Sequence, residues 1–422
     1  IHVYIVIFAG SGIFISPTGV YRNTQSVGLC LLIWTICGLT ALAGALVYAE
    51  LGLLVPKTGG DYSYYKRTFG NFPAFWYVWS QCLVVYPVSN VIKSLTIAEY
   101  AAGAVFDECG PPELLKRLFA ITLIVTFTII NVVNVDLAAR IQVLFATVKI
   151  GGLAVIAGSG LYVISKGKFG TLTTGFSGST SDLSDVVAAM YSGIWAFSGW
   201  QTICRTLPLS IVISMVTVLV LYVMVNISYF VVLTPQEFMS SWAVGITWGD
   251  KILGRGALFV PIVVACSVFG SACEASFSSA RIIFAGARDG NFVEFFSFID
   301  VKSRIPTPSI FLVSVLSLAY LLLPLKVGEI INMMGFLTAG FNALTMVCHI
   351  VLRFNIKDAS VPLRVPILVS FLLSVIYIYL FIAPLLNGVK KEIIFPVVFM
   401  SLGAVLYIPF ILLQFKLPGL GK

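Results

Sequence analysis

Two interruptions of apolar segments carry the residues best suited to hold a small zwitterion. The first is Gly10-Ser11-Gly12-Ile13-Phe14, inside the first apolar run of the chain. Glycine costs about 1 kcal/mol in a helix interior, and in hydrocarbon every freed backbone group needs another partner. Such a break offers N–H groups at a half-helix N-terminus, which attract a carboxylate. Small residues serve close helix–helix packing equally well. The second interruption is Tyr191-Ser192-Gly193-Ile194-Trp195-Ala196-Phe197-Ser198-Gly199-Trp200. Unwound carbonyls there suit an ammonium group, and an aromatic-rich helix that only packs is the alternative. Breaks in the first and sixth spans are what an inverted five-plus-five repeat predicts for a midplane binding site.

The elements that must position these breaks are membrane helices. Hydrophobic residues make up 59% and charged residues 10% of the 422 residues, and mean hydropathy is +1.01, far from soluble globular usage. Apolar runs recur that are long enough to cross ~30 Å of hydrocarbon. Hydropathy predicts about twelve spans, near 1–21, 27–54, 71–105, 114–134, 138–165, 184–203, 207–233, 256–286, 308–323, 326–354, 362–384 and 393–414. The basic residues stand singly in the connections, so the charge of +8 carries topology information and implies no nucleic acid. Lys57, Lys66 and Arg67, Arg140, Arg288 with Lys302 and Arg304, and Arg353 with Lys357 and Arg364 follow even-numbered spans. Those connections and both termini are expected on the cytoplasmic side. Asp107, Glu108 and Glu113 fall opposite, and Lys390-Lys391 runs against the rule. The chain starts at Ile1 and enters the membrane at once, so a preceding cytoplasmic segment is expected. The connection over 201–209 is unusually short.

Other chemistry is sparse. Of the eight cysteines, Cys109 stands in a predicted extracellular loop with no second loop cysteine outside. That placement points to an intermolecular disulfide or to a free thiol without a role. His2 and His349 are the only histidines, so no metal site is expected, and no cofactor is implied. No nucleophile–base pairing appears, which makes an intramembrane enzyme the poorer reading, and the rings or filters of a channel are not evident.

The first break, extended through Ile15-Ser16-Pro17-Thr18-Gly19-Val20, resembles the first-helix signature of the L-type amino acid transporters. These are the light chains of heteromeric amino acid transporters, within the amino acid–polyamine–organocation superfamily. The similarity continues through Gly44-Ala45-Leu46-Val47-Tyr48-Ala49-Glu50-Leu51-Gly52, Gly59-Gly60-Asp61-Tyr62, Trp195 to Trp200, Leu207-Pro208-Leu209, Val225 to Phe230, and Ser279-Ala280-Arg281 with Ala287-Arg288-Asp289-Gly290. It covers essentially the whole chain.

The resemblance implies an all-α membrane protein with a LeuT-like fold of twelve transmembrane helices. A ten-helix core over 1–354, with repeats 1–165 and 184–354, would precede two further helices in 362–414. It also implies sodium-independent amino acid exchange at the plasma membrane. Gly10, Ser11, Gly12 and Ile13 would bind the substrate carboxylate. Ile194, Trp195 and Phe197 would supply carbonyls for the amino group, with the Trp195 ring as a gate. Cys109 matches the cysteine joined to a single-span glycoprotein heavy chain. Lys149 matches a lysine whose ammonium stands in for a sodium ion, snorkelling to the interface being the alternative. Relatives carry a longer segment between Cys204 and Arg205, so one is expected to be absent here.

Departures from the family bear on substrate choice. Cys273-Glu274 replaces an Asn-Gly pair, and Lys93 stands where relatives are apolar. A carboxylate at mid-membrane costs at least ~2.5 kcal/mol, so Glu274 and Lys93 are expected to pair, or one faces the pocket and selects a charged side chain. Ser198 occupies the position of an aspartate in the cationic and cystine carrier, and Tyr86 replaces a basic residue. Gly335 to Gly340 puts small residues where relatives are bulky, for a roomier pocket or for packing. The expected substrates are neutral or aromatic amino acids, with charged ones, through Glu274 or Lys93, as the alternative.

Overall fold

Helices follow the apolar runs. The computed structural model describes residues 10–57, 59–103, 106, 112–133, 135–202, 208–241, 243–301, 304–324, 326–356, 363–386 and 391–413, and no strand occurs among them. In order, the helices are α1 (Pro17–Thr24), α2 (Val27–Leu54), α3 (Asp61–Thr68), α4 (Asn71–Gly103), α5 (Glu113–Val133), α6 (Val135–Ser165), α7 (Leu183–Ala196) and α8 (Pro208–Val232). They continue as α9 (Pro235–Ser240), α10 (Val244–Leu253), α11 (Phe259–Arg288), α12 (Thr307–Leu321), α13 (Val327–Asn355), α14 (Ile367–Leu386) and α15 (Lys391–Tyr407). Among the described residues, 8 helices are long and apolar enough to cross a membrane: α2, α4, α5, α6, α8, α11, α13 and α14.

Helix limits have local causes. The Ser26 side chain accepts from the Leu29 amide at the start of α2, Asp182 caps α7 through the Ser184 amide, and Thr234 with Glu237 closes a capping box on α9. Side-chain oxygens there satisfy donors that a helix start leaves unpaired. The sixth predicted span is shorter than expected. Helical structure stops at Ala196, and Phe197, Ser198 and Gly199 form a turn before a 3₁₀ segment at Trp200–Thr202. Gly199 has φ +119°, a conformation that costs only glycine nothing. Of the first predicted span, residues 1–9 lie outside the described residues, as does most of the 201–209 connection.

Packing gathers these elements around the breaks. α11 packs against α4 and α6, α8 against α6 and α2, α1 against α7, and α13 against α14, α7 and α15. Lipid-facing leucines, valines and isoleucines remain exposed along α5, α6, α14 and α15, as a membrane protein requires.

Candidate substrate site

The first break runs from Gly10 through a 3₁₀ turn, Ser11–Phe14, to Ser16, where α1 begins at Pro17. Three of its carbonyls have identified partners. Gly12 accepts from the amides of Ile15 and Ser16, Gly10 from the Tyr222 hydroxyl at 2.6 Å, and Phe14 from the Tyr100 hydroxyl at 2.9 Å. Tyr222 on α8 and Tyr100 on α4 thus satisfy carbonyls that an opened helix frees in hydrocarbon. The amides of Ser11 and Gly12 open the 3₁₀ turn and have no acceptor within it.

The glycines are also set by close approach. A Cβ on Gly12 would lie 2.3 Å from Ala196 Cα, and one on Gly10 would lie 2.5 Å from the Ala196 carbonyl oxygen. The backbone of the first break therefore rests directly on the end of α7. Packing and opening, alternatives on sequence grounds, occur at the same residues.

The second break divides its aromatics. Phe197 and Trp200 are fully buried. Phe197 packs on Trp34 and Tyr222 with centroids at 5.9 and 4.9 Å, and Trp200 packs edge-on against Tyr48 at 5.0 Å. Gly38 and Gly44 of α2 leave room for these rings. Trp195 instead borders a cavity. The Gly193 and Trp195 carbonyls accept from the amides of Phe197 and Ser198, so the Ile194 carbonyl at the helix end has no intrahelical donor.

Between the breaks lies a cavity of about 570 Å³, within the size range of small-molecule sites. Gly10, Ser11, Gly12, Ile194, Trp195, Ser198 and Glu274 line it, joined by Tyr86, Lys93, Gly335, Thr338 and Ala339. Gln81 and Val85, at either end of a π turn in α4, are on the wall as well; such turns recur at functional sites. The cavity reaches the membrane face that carries Lys57, Gly59 and Gly60. Among the described residues, none from 166–182 or 234–258, on the other face, lines it.

Some expected residues sit elsewhere. Ile13 and Phe197 are fully buried and do not line the cavity, because their side chains fill the packing behind the breaks. Lys149 is off the lining and only 3% exposed, unlike a snorkelling lysine, whose ammonium reaches water. Cys109 lies outside the described residues. The expected Lys93–Glu274 ion pair is not formed within 4.0 Å. Lys93 donates to the Ser271 carbonyl at 3.2 Å, and Glu274 accepts from the Ser278 hydroxyl at 2.9 Å. Gly335 packs against the Tyr191 ring, while Thr338 and Ala339 leave open volume.

Sequence reasoning missed Asp61 as a wall residue. It opens α3, outside the spans, lines the cavity and is 6% exposed. Thr345 donates to Oδ1 at 3.0 Å and Tyr77 to Oδ2 at 3.2 Å, and among the described residues no cation stands within 4.0 Å. Burial pushes the carboxyl up to about 6, against the opposing hydrogen bonds of Tyr48, Thr345 and Tyr77. A native value above the unfolded one stabilises the fold fully below the unfolded pKa, and that stability is lost as pH rises through about 6. Asp61→Asn is expected to remove this dependence, worth about 3 kcal/mol at 1.36 kcal/mol per unit. Thermal midpoints in detergent at acid and neutral pH check it; an unchanged pH slope in the variant contradicts it.

The comparisons with known proteins agree with this architecture. A family model described as "Amino acid permease" matches residues 3–408. The b(0,+)-type amino acid transporter 1 of Mus musculus is 34% identical over 416 residues, covering 96% of this chain and 85% of the relative. The Large neutral amino acids transporter small subunit 2 of Mus musculus is 37% identical over 386 residues, covering 88% and 72%. The Cystine/glutamate transporter of Pongo abelii is 34% identical over 375 residues, covering 86% and 75%. Membership of a transporter family rather than an enzyme family accords with a cavity bounded by helix breaks and opening toward one membrane face. The chain belongs to the amino acid permease family, together with the light chains of heteromeric amino acid transporters.

Proposed function

We propose that this chain is a sodium-independent exchanger of neutral or aromatic L-amino acids, working as the light chain of a disulfide-linked heterodimer in the plasma membrane. The observation that carries this reading is a single cavity bordered by both helix breaks. The amides opening the first break receive the substrate carboxylate, and the Ile194 carbonyl with the neighbouring end of α7 receives its ammonium. Trp195 covers the bound side chain, and Thr338 and Ala339 give it room. The chain folds as twelve spans in a LeuT-like arrangement, with inverted repeats over 1–165 and 184–354 and two further helices over 362–414. With cytoplasmic termini, the face carrying Lys57 is cytoplasmic, and the cavity is open inward.

Lys149 occupies the place of a sodium ion, a role that its burial and its position behind the cavity support. Cys109 links the chain to a single-span glycoprotein heavy chain. A charged substrate is the second reading, in which either Glu274 or Lys93, each on the cavity wall, alone contacts the side chain. Exchange is tested in reconstituted vesicles. Labelled amino acid is expected to leave only when unlabelled amino acid is present outside, with or without sodium. Thr338→Trp, which fills the cavity, is expected to abolish that efflux.

A further inference from the structure

Lys93 on α4 and Glu274 on α11 are charges of opposite sign on one cavity wall that do not pair with each other. Each is held by its own partner. The Lys93 ammonium is tied to the Ser271 carbonyl at 3.2 Å, and the Glu274 carboxylate is tied to the Ser278 hydroxyl at 2.9 Å. Ser271 lies one helical turn before Glu274, so the ammonium sits beside the carboxylate's own helix, and each charge acts electrostatically on the other. An ammonium has three donors and a carboxylate two acceptor oxygens, so both retain hydrogen-bonding capacity toward the cavity. Lys149, buried off the lining, acts on both; Lys93 and Glu274 sum to zero between themselves, and Lys57, Asp61 and Arg281 line the same cavity elsewhere.

We propose that Lys93 and Glu274 form a bipolar subsite for the substrate side chain, selecting uncharged groups that both donate and accept hydrogen bonds, carboxamide or ureido. This rests on the amino acid exchange proposed above and names its preferred substrates. A carboxamide oxygen accepts from Lys93 while its N–H group donates to Glu274. A cationic side chain meets Lys93 as a like charge, and an acidic one meets Glu274. Beside two fixed opposite charges such a mismatch offsets the single attraction gained. An aliphatic side chain leaves both charges without a substrate partner.

The test is competition against labelled substrate in proteoliposomes by glutamine, citrulline, leucine, lysine and glutamate. Wild type is expected to prefer glutamine and citrulline over lysine and glutamate by about tenfold or more. Lys93→Met should shift the preference toward lysine, and Glu274→Gln toward glutamate. The same ranking in both folded variants, or lysine or glutamate as the best competitor of wild type, overturns the subsite. The wild-type ranking decides on its own if either variant fails to fold. Absence of any amino acid uptake by wild type overturns the exchange reading itself and is a distinct result.

Discussion

Gly12→Ala is expected to abolish transport and to destabilise the protein by about 1–3 kcal/mol or more, the range for overfilled interiors. The added Cβ lands 2.3 Å from Ala196 Cα and 2.8 Å from Ala196 Cβ. The nearer atom is backbone, so no side-chain rotation relieves the contact, and the first break must lift off the end of α7. Both candidate binding ends move together in consequence. Ala196→Gly removes the Cβ but leaves the Cα, so the double variant is expected to stay inactive. Gly151→Ala and Gly158→Ala on α6, where a Cβ meets nothing within 4 Å, should behave like wild type. Thermal midpoint and vesicle uptake measured on all four variants check this. A fully active and stable Gly12→Ala protein contradicts the close approach.

The second large effect concerns Glu50, which is fully buried on α2. Its carboxylate accepts from the Val365 amide at 2.6 Å, approaches His349 Nε2 at 3.2 Å and pairs with Arg353. The cluster joins α2 to α13 and to the segment leading into α14. Removing one member of a buried ion pair strands the other, at about 3–5 kcal/mol. Glu50→Ala should therefore cost that much, visible as a large fall in thermal midpoint or as loss of the folded peak in size-exclusion chromatography. Glu50→Gln should cost less, because its amide oxygen still accepts from Val365. Equal losses in the two variants would show that packing, not the acceptor, is what matters there.

Much of this architecture is legible in the sequence because its signals are local. Apolar run length marks α2, α4, α8, α11 and α13 to within a few residues, and glycine-rich interruptions mark both breaks. What the sequence hides lies between distant segments. Glu50 and Arg353, or Gly10 and Tyr222, meet only through tertiary packing, which no periodicity records. At the second break helical periodicity ends, so nothing local indicates that Trp195 turns to the cavity while Phe197 and Trp200 turn to α2. On sequence grounds Lys93 and Glu274 either pair, because two charges among apolar neighbours need partners, or one of them faces the pocket. A cavity wall removes that need, since Ser271 and Ser278 supply one bond each and the cavity accommodates the rest. Asp61 escapes notice for the opposite reason: a carboxylate in a polar connection looks solvated until α4 and α13 enclose it.

Counterflow is the most direct test of the central claim, that the cavity between the two breaks carries amino acids by exchange. Purified protein in vesicles loaded with labelled glutamine is diluted into buffer with and without unlabelled glutamine, in sodium and in choline. The account predicts efflux only with amino acid outside, equal in the two salts and absent in Thr338→Trp. Efflux into amino-acid-free buffer at the same rate, dependence on sodium, or full activity of Thr338→Trp would contradict it.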